Sequence, residues 1–305
     1  MPAILKNIGK SVWANPHLVL ALAAMMWGGH TIVARASVGE VSPMLLMALR
    51  WLLCLLILAV FLRHEIKRDW LILKPNLSWL MLMGGVGLAG FTIFFILAAQ
   101  YTSAINLGIM QSSIPAFVIL MSFLFLGKSF GPMQTVGLCL TIIGVVYLTC
   151  GGSFASLAAL AINSGDLLML VACLCYAGFA VGLSRKVSAS PFVLLAFFSL
   201  FALVTLGICA IAEYLQGSQI LPSFKGMLMI AYSGIIASLV GQLFFVRGVR
   251  LVGANRAGLY INLVPVFGAL MAVMFLGESL KIYHGISLIM VLSGIYLVEK
   301  YKSND

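Results

Sequence analysis

Long apolar runs, nearly free of charge and joined by short connections, leave this chain one kind of surrounding. Ten can be marked, at 18–37, 43–62, 78–98, 104–126, 132–150, 166–184, 191–212, 226–246, 255–276 and 282–299. A helix needs ~20 residues to cross a hydrocarbon layer ~30 Å thick, and these runs are of that length. Of 305 residues, 63% are hydrophobic and 9% charged, against ~45–50% and ~25% in ordinary globular chains, so a water-soluble fold is excluded. The runs are continuous rather than alternating, which argues against a barrel. The expectation is an all-α polytopic membrane protein with ten transmembrane helices.

The net charge of +10 is read by its position. With ten crossings, alternate connections share a side, and 14 of the 18 Lys and Arg residues fall on one side, among them Lys6, Lys10, Arg63, Lys67, Arg68, Lys74, Lys128, Arg185, Arg247 and Lys300. The positive-inside rule then puts both termini in the cytoplasm, and the bacterial inner membrane is the expected location. The basic excess reports topology and contact with anionic lipid, not a nucleic-acid partner. Six cysteines, Cys54, Cys139, Cys150, Cys173, Cys175 and Cys209, lie in spans without metal-ligand spacing, so no metal or cofactor is expected.

Sliding the chain against itself by 150 positions aligns Phe94 with Phe244, Ala104 with Ala254, Gly108 with Gly258, Pro115 with Pro265 and Phe125-Leu126-Gly127 with Phe275-Leu276-Gly277. The window 94–144 holds 14 identities in 51 positions, where this composition would give roughly four by chance. Two units follow, 1–150 and 151–305. Each has five spans, an odd number, so the copies cross the membrane in opposite senses, as inverted repeats around a central cavity do in many secondary transporters. Gly84, Gly85, Gly87 and Gly90 give the third span a small face for close helix packing.

Pro115 and Pro265 interrupt their spans and deprive the carbonyls four residues back of a helical partner. The preceding residues are polar, Gln111-Ser112-Ser113 and Tyr260-Ile261-Asn262, which marks both kinks as candidate pore-lining backbone. Bends without ligand contact are the alternative.

Trp27-Gly28 followed by Arg35, Ser42-Pro43, Ala48-Leu49-Arg50-Trp51, Gln100-Tyr101-Thr102-Ser103-Ala104, Pro115 with Phe125-Leu126-Gly127, and Ala254-Asn255 with Pro265 and Leu276-Gly277-Glu278 together resemble the drug/metabolite transporter superfamily, in particular its EamA-type permeases. The resemblance covers nearly the whole chain. It implies ten helices in two inverted halves, a central cavity, and transport of small metabolites, often outward. The chain departs from the family pattern at Lys128, where Glu is usual, and at His30, where small polar residues are usual.

No Asp or Glu lies deep in a span, which demotes a proton-driven pump for cationic drugs. His30, at mid-depth one turn from Trp27, is a candidate cargo donor and a candidate proton-coupling group. Arg50 is assigned a structural or gating role with Pro115 and Pro265. Trp27, Phe95, Tyr176, Phe179 and Tyr260, with Gln111, Gln242 and Asn262, make a mixed wall suited to a zwitterion with an apolar side chain. The expected function is export of amino acids or related metabolites by alternating access, by a monomer or homodimer. A broad exporter of toxic compounds and a passive channel are the alternatives. No zinc-helix, nucleophile or P-loop motif supports an enzyme or ATP-driven pump.

Overall fold

Proline opens four of the long helices. Pro16, Pro43, Pro132 and Pro191 stand where a helix has amides to spare, so the missing N–H costs nothing and the fixed φ is already helical. The Asn15 side chain adds a cap to the first, accepting from the amides of His17 and Leu18. At the other end, Gly127 and Gly277 stop their helices with φ of 64° and 66°, values that favour glycine.

The computed structural model describes residues 13–127, 131–153, 163–183, 185, 187–252 and 259–301. Lys6, Lys10, Lys128, Ala254 and Asn255 lie outside them. Among the described residues there is helix and no strand. In order these are α1 (Pro16–Ala36), α2 (Pro43–Leu73), α3 (Leu77–Met81), a π-helical segment (Leu82–Leu88), α4 (Ala89–Tyr101), α5 (Ala104–Gln111), α6 (Ile114–Leu126) and α7 (Pro132–Thr149). Then follow α8 (Ser164–Gly182), α9 (Pro191–Leu215), α10 (Phe224–Ala231), a second π-helical segment (Tyr232–Val240), α11 (Gly241–Val252), a 3-10 turn (Leu259–Asn262), α12 (Leu263–Leu276) and α13 (Ile282–Lys300).

Six helical segments are long and apolar enough to cross a membrane, and the chain is a polytopic membrane protein. One of them, Pro43–Tyr101, runs 59 residues. Straight, it would measure about 90 Å, three times the hydrocarbon thickness. Yet α2 and α4 pack on one another, so the chain turns back between them, at the 3-10 turn Lys74–Asn76 that contains Pro75.

Local irregularities recur at the spacing of the sequence repeat. The two π-helical segments begin 150 positions apart, as do the Gly127 and Gly277 caps. Packing is reciprocal as well: α1 lies on α12 and α8 on α6, while α1 lies on α11 and α8 on α4. The long helices α2 and α9 are antiparallel and tied at both ends, since the Ser190 amide donates to Asp69 Oδ2 (3.1 Å) and the Met44 amide to Glu213 Oε1 (3.2 Å).

The glycines of the third apolar run divide between two neighbours. A Cβ on Gly84 would lie 2.6 Å from the Phe198 carbonyl oxygen of α9, and one on Gly87 would lie 2.9 Å from the Phe179 Cβ of α8. Gly28 is equally tight against α12, 2.8 Å from the Gly268 amide nitrogen. Gly84→Ala is therefore expected to destabilise by about 1–3 kcal/mol through overpacking. Gly207→Ala, whose Cβ would meet nothing within 4 Å, should leave the melting temperature of the detergent-solubilised protein unchanged or raised.

Candidate functional site

Gly28 and Gly29 let two elements of the second half close on α1 at one level. Gly28 admits α12, and Gly29 faces the Tyr232 hydroxyl at the start of the second π-helical segment. Tyr232 donates to the Met26 carbonyl (3.1 Å), and the Trp27 indole donates to the Ala237 carbonyl (3.0 Å). These bonds fix the π segment beside His30.

Here the polar groups converge. Arg50 of α2 donates through Nε to Ser238 Oγ and through Nη1 to His30 Nε2, both at 2.7 Å. Ser238 donates onward to the Ser233 carbonyl five residues back (2.8 Å). Guanidinium can only donate, so His30 Nε2 is the acceptor, and its neutral ring carries the proton on Nδ1, which faces Ser233 Oγ at 3.4 Å. Arg50 also lies over the Trp51 ring, 4.9 Å from its centroid.

An aromatic row leads away from this cluster. His30 stacks on Phe95 (5.4 Å), which stacks on Phe91 (5.6 Å). Phe91 meets Tyr176 edge-on (5.1 Å), and Tyr176 meets Phe179 (5.7 Å). Elements of both halves thus build one site: α1, α2 and α4 from the first, the second π segment and α8 from the second.

Of the residues singled out in the sequence, Trp27, His30, Arg50, Phe95, Tyr176 and Phe179 come together. His30, Phe95 and Phe179 are buried, and the others are half-buried. Gln242 follows Gly241, which the Trp27 indole approaches. Gln111 and Asn262 lie at the broken helices, half-buried. Tyr260 is elsewhere. Its hydroxyl bonds His17 Nδ1 in the first turn of α1, about 20 Å along that helix from His30. Just before Pro115, Ser112 and Ser113 donate to the carbonyls of Ile109 (2.5 Å) and Met110 (2.6 Å). Gly108 packs on Pro265, so the two interrupted segments cross there.

Sequence reading missed Ser233 and Ser238. A signal existed: at the repeat offset they replace Met83 and Leu88, two polar residues where the other copy is apolar. It also missed how buried Asp166 is. That carboxylate, 1% exposed in the first turn of α8, accepts from Thr102 Oγ (2.5 Å) and Asn106 Nδ2 (3.3 Å).

Two hollows open on the flanks. The larger, about 510 Å³, borders Tyr101, Ser164, Leu167 and Val171, away from the polar cluster. The smaller, about 410 Å³, is lined by Met25, Met26, Gly29, Tyr232, Met271 and Phe275, one residue from His30. His30, Arg50, Ser233 and Ser238 line neither hollow.

The end nearer Arg35 is laced by bonds both within and between the halves. Glu278 caps α5, accepting from the amides of Ala104 (2.8 Å) and Ile105 (3.1 Å), and Arg35 Nη1 donates to the carbonyls of Ala99 and Gln100 at the end of α4. In the connections, Ser223 Oγ donates to Glu40 Oε2 (2.5 Å), and Lys225 pairs with Glu40 Oε1 (3.3 Å).

A multi-pass helical bundle with a mixed polar and aromatic cluster between its halves is the build of a membrane transporter. The chain belongs to the EamA-like transporter family, whose model matches residues 15–150 and again 163–299. It is 24% identical to the uncharacterized transporter YyaM of Bacillus subtilis, over 95% of this chain and 97% of that one. It is 27% identical to an uncharacterized transporter of Archaeoglobus fulgidus, over 93% and 97%. A crystal structure with 19% identity superposes with a TM-score of 0.60 over 93% of this chain and 96% of that one, showing the same fold. The protein is a membrane transporter and not an enzyme.

The Ser223 hydroxyl, then Lys225, hold the Glu40 carboxyl below the usual glutamate range. Its contribution to stability is therefore present above the ordinary glutamate pKa and fades only as pH falls through the lowered value. The difference in melting temperature between wild type and Glu40→Gln should accordingly be small near neutrality, given the exposure of the pair, and vanish under acid conditions. A difference that grows on acidification would remove this assignment.

Proposed function

We propose that the protein exports a small metabolite, an amino acid or a related compound, by alternating access between two five-helix halves of opposite orientation. In this reading residues 1–150 and 151–305 cross the bacterial inner membrane ten times, with both termini cytoplasmic. The reading is supported by which chain ends meet. Glu40 bonds Ser223 and Lys225, Thr102 bonds Asp166, and Glu278 bonds Ala104, all on the side that ten crossings make external. Asp69 bonds Ser190 and Asn76 bonds Arg185 on the other. The antiparallel pairing of α2 and α9 is what inverted copies require.

The observation that carries the function is the His30–Arg50–Ser238 cluster with its aromatic wall. Because both halves contribute, a shift of one against the other opens the site toward either side. Trp27, His30, Phe95, Tyr176 and Phe179 form the cargo wall, and the half-buried amides of Gln111, Gln242 and Asn262 flank the path. Protons are the coupling ion in this reading: deprotonated Nε2 of His30 holds Arg50, and a proton there releases it. Among the described residues the cluster contains no carboxylate, which disfavours cationic drugs as the main cargo.

Counterflow in proteoliposomes tests the carrier. Internal cargo should accelerate uptake of labelled cargo several-fold, whereas fast flux without saturation would indicate a channel. His30→Gln should flatten the pH dependence of flux, and a retained dependence would place coupling elsewhere. On a Cys-free background, Gln111→Cys and Asn262→Cys should react with small aqueous thiol reagents and be protected by cargo.

A further inference from the structure

Arg50 holds its charge about 10 Å inside the end of α2. All its partners are neutral: Ser238 Oγ, His30 Nε2, the Met47 sulfur (3.7 Å) and the Trp51 ring. The two ion pairs among the described residues, Arg68 with Asp69 and Lys225 with Glu40, are elsewhere. Arg50 Nη2 has no acceptor among the described residues. A desolvated cation without a counter-ion is unfavourable, and structures retain one where it meets an anion or water.

Packing does not demand a charge there. The other half builds the same seat. A Cβ on Gly234 would lie 3.0 Å from the Arg50 carbonyl oxygen, and a Cβ on Gly84, 150 positions earlier, would lie 2.6 Å from that of Phe198. Phe198 therefore fills in α9 the place that Arg50 fills in α2, and does so with a phenyl ring. Helix contact alone is met by an apolar side chain, so the guanidinium answers to something that enters the site.

We infer that Arg50 anchors a carboxylate of the cargo, and that the cargo class is monocarboxylates with an apolar or aromatic body. Rotating away from neutral Ser238 or His30, the planar guanidinium offers two parallel N–H donors to a carboxylate. With His30 neutral, Arg50 supplies one positive charge, which matches a monoanion rather than a phosphate dianion. The row Phe95, Phe91, Tyr176 and Phe179 beside it takes the apolar body. Among the described residues no acidic side chain pairs with Arg50 or His30 to receive an ammonium, so an α-amino group is tolerated but not required.

This rests on the transport reading above and names its substrate class. Three probes that differ by one group separate the contributions: phenylalanine, 3-phenylpropionate lacking the amine, and phenethylamine lacking the carboxylate. Calorimetric titration of the purified full-length protein should give binding of the first two within tenfold of one another and at least tenfold weaker binding of the third. Arg50→Gln should weaken 3-phenylpropionate at least tenfold, with Arg50→Lys recovering part of the loss. Because the analogue series is read on the wild-type protein, a variant that fails to fold does not blunt the test. Phenethylamine binding as tightly as 3-phenylpropionate, binding by none of the three, or an unchanged affinity in folded Arg50→Gln would overturn the assignment. Counterflow of phenethylamine without carboxylate binding would remove this inference and keep the carrier. Absence of counterflow with any cargo would remove the carrier itself.

Discussion

In hydrocarbon a backbone amide or carbonyl without a partner has no water to fall back on, and this requirement shapes the helix ends among the described residues. At several helix ends a side chain supplies the missing bond. Glu278 takes the first amides of α5, Glu213 and Asp69 take the amides at the starts of α2 and α9, and Arg35 takes the last carbonyls of α4. Most of these bonds join one half to the other. The groups that finish the helices are therefore the groups that hold the halves together, and a rearrangement of the halves has to exchange them.

The π-helical segment shows the same economy turned to chemistry. An α-helix would spend all its carbonyls on itself. The wider turn frees the Ala237 carbonyl for the Trp27 indole and brings Ser238 over the Ser233 carbonyl. Ser238 Oγ then accepts from Arg50, and Arg50 reaches His30. Each link fixes the next, so imidazole and guanidinium are presented in one orientation to the aromatic row.

Much of this was legible in the sequence, for definite reasons. Apolar run length is a direct reading of bilayer thickness, so the all-helical membrane class followed from it, and the repeat was visible because fourteen identities survive at one offset. Trp27, His30, Phe95, Tyr176 and Phe179 could be grouped because span depth alone brings them to one level. Tyr260 was misplaced by the same logic. Its short 3-10 turn sits near the start of α1, where it bonds His17, and a sequence pattern does not show where an interrupted span begins. Ser233 and Ser238 escaped because an apolar run with two serines reads as ordinary membrane helix. Only the extra residue in the turn aims both at α1 and α2, and nothing in hydrophobic periodicity encodes a π segment.

The comparison of the two copies says more than either alone. Backbone irregularities repeat: the π segments, the left-handed glycine caps and the glycine seats for α2 and α9. Side chains around the two glycine seats do not. One seat carries Arg50 with Ser233 and Ser238, and the equivalent seat carries Phe198 with Met83 and Leu88. Phe198 packs against Phe179 and Trp79, closing its side with aromatic contacts that need no ligand. A symmetric backbone lets two packings of the halves lie close in energy, as an exchange between them requires. Polar groups in both seats would set two cations inside the bilayer, each in need of an anion. In the alternating-access reading proposed above, confining charge to one seat leaves a single binding point that either packing can expose, so the symmetry would serve the motion and its local breakage recognition.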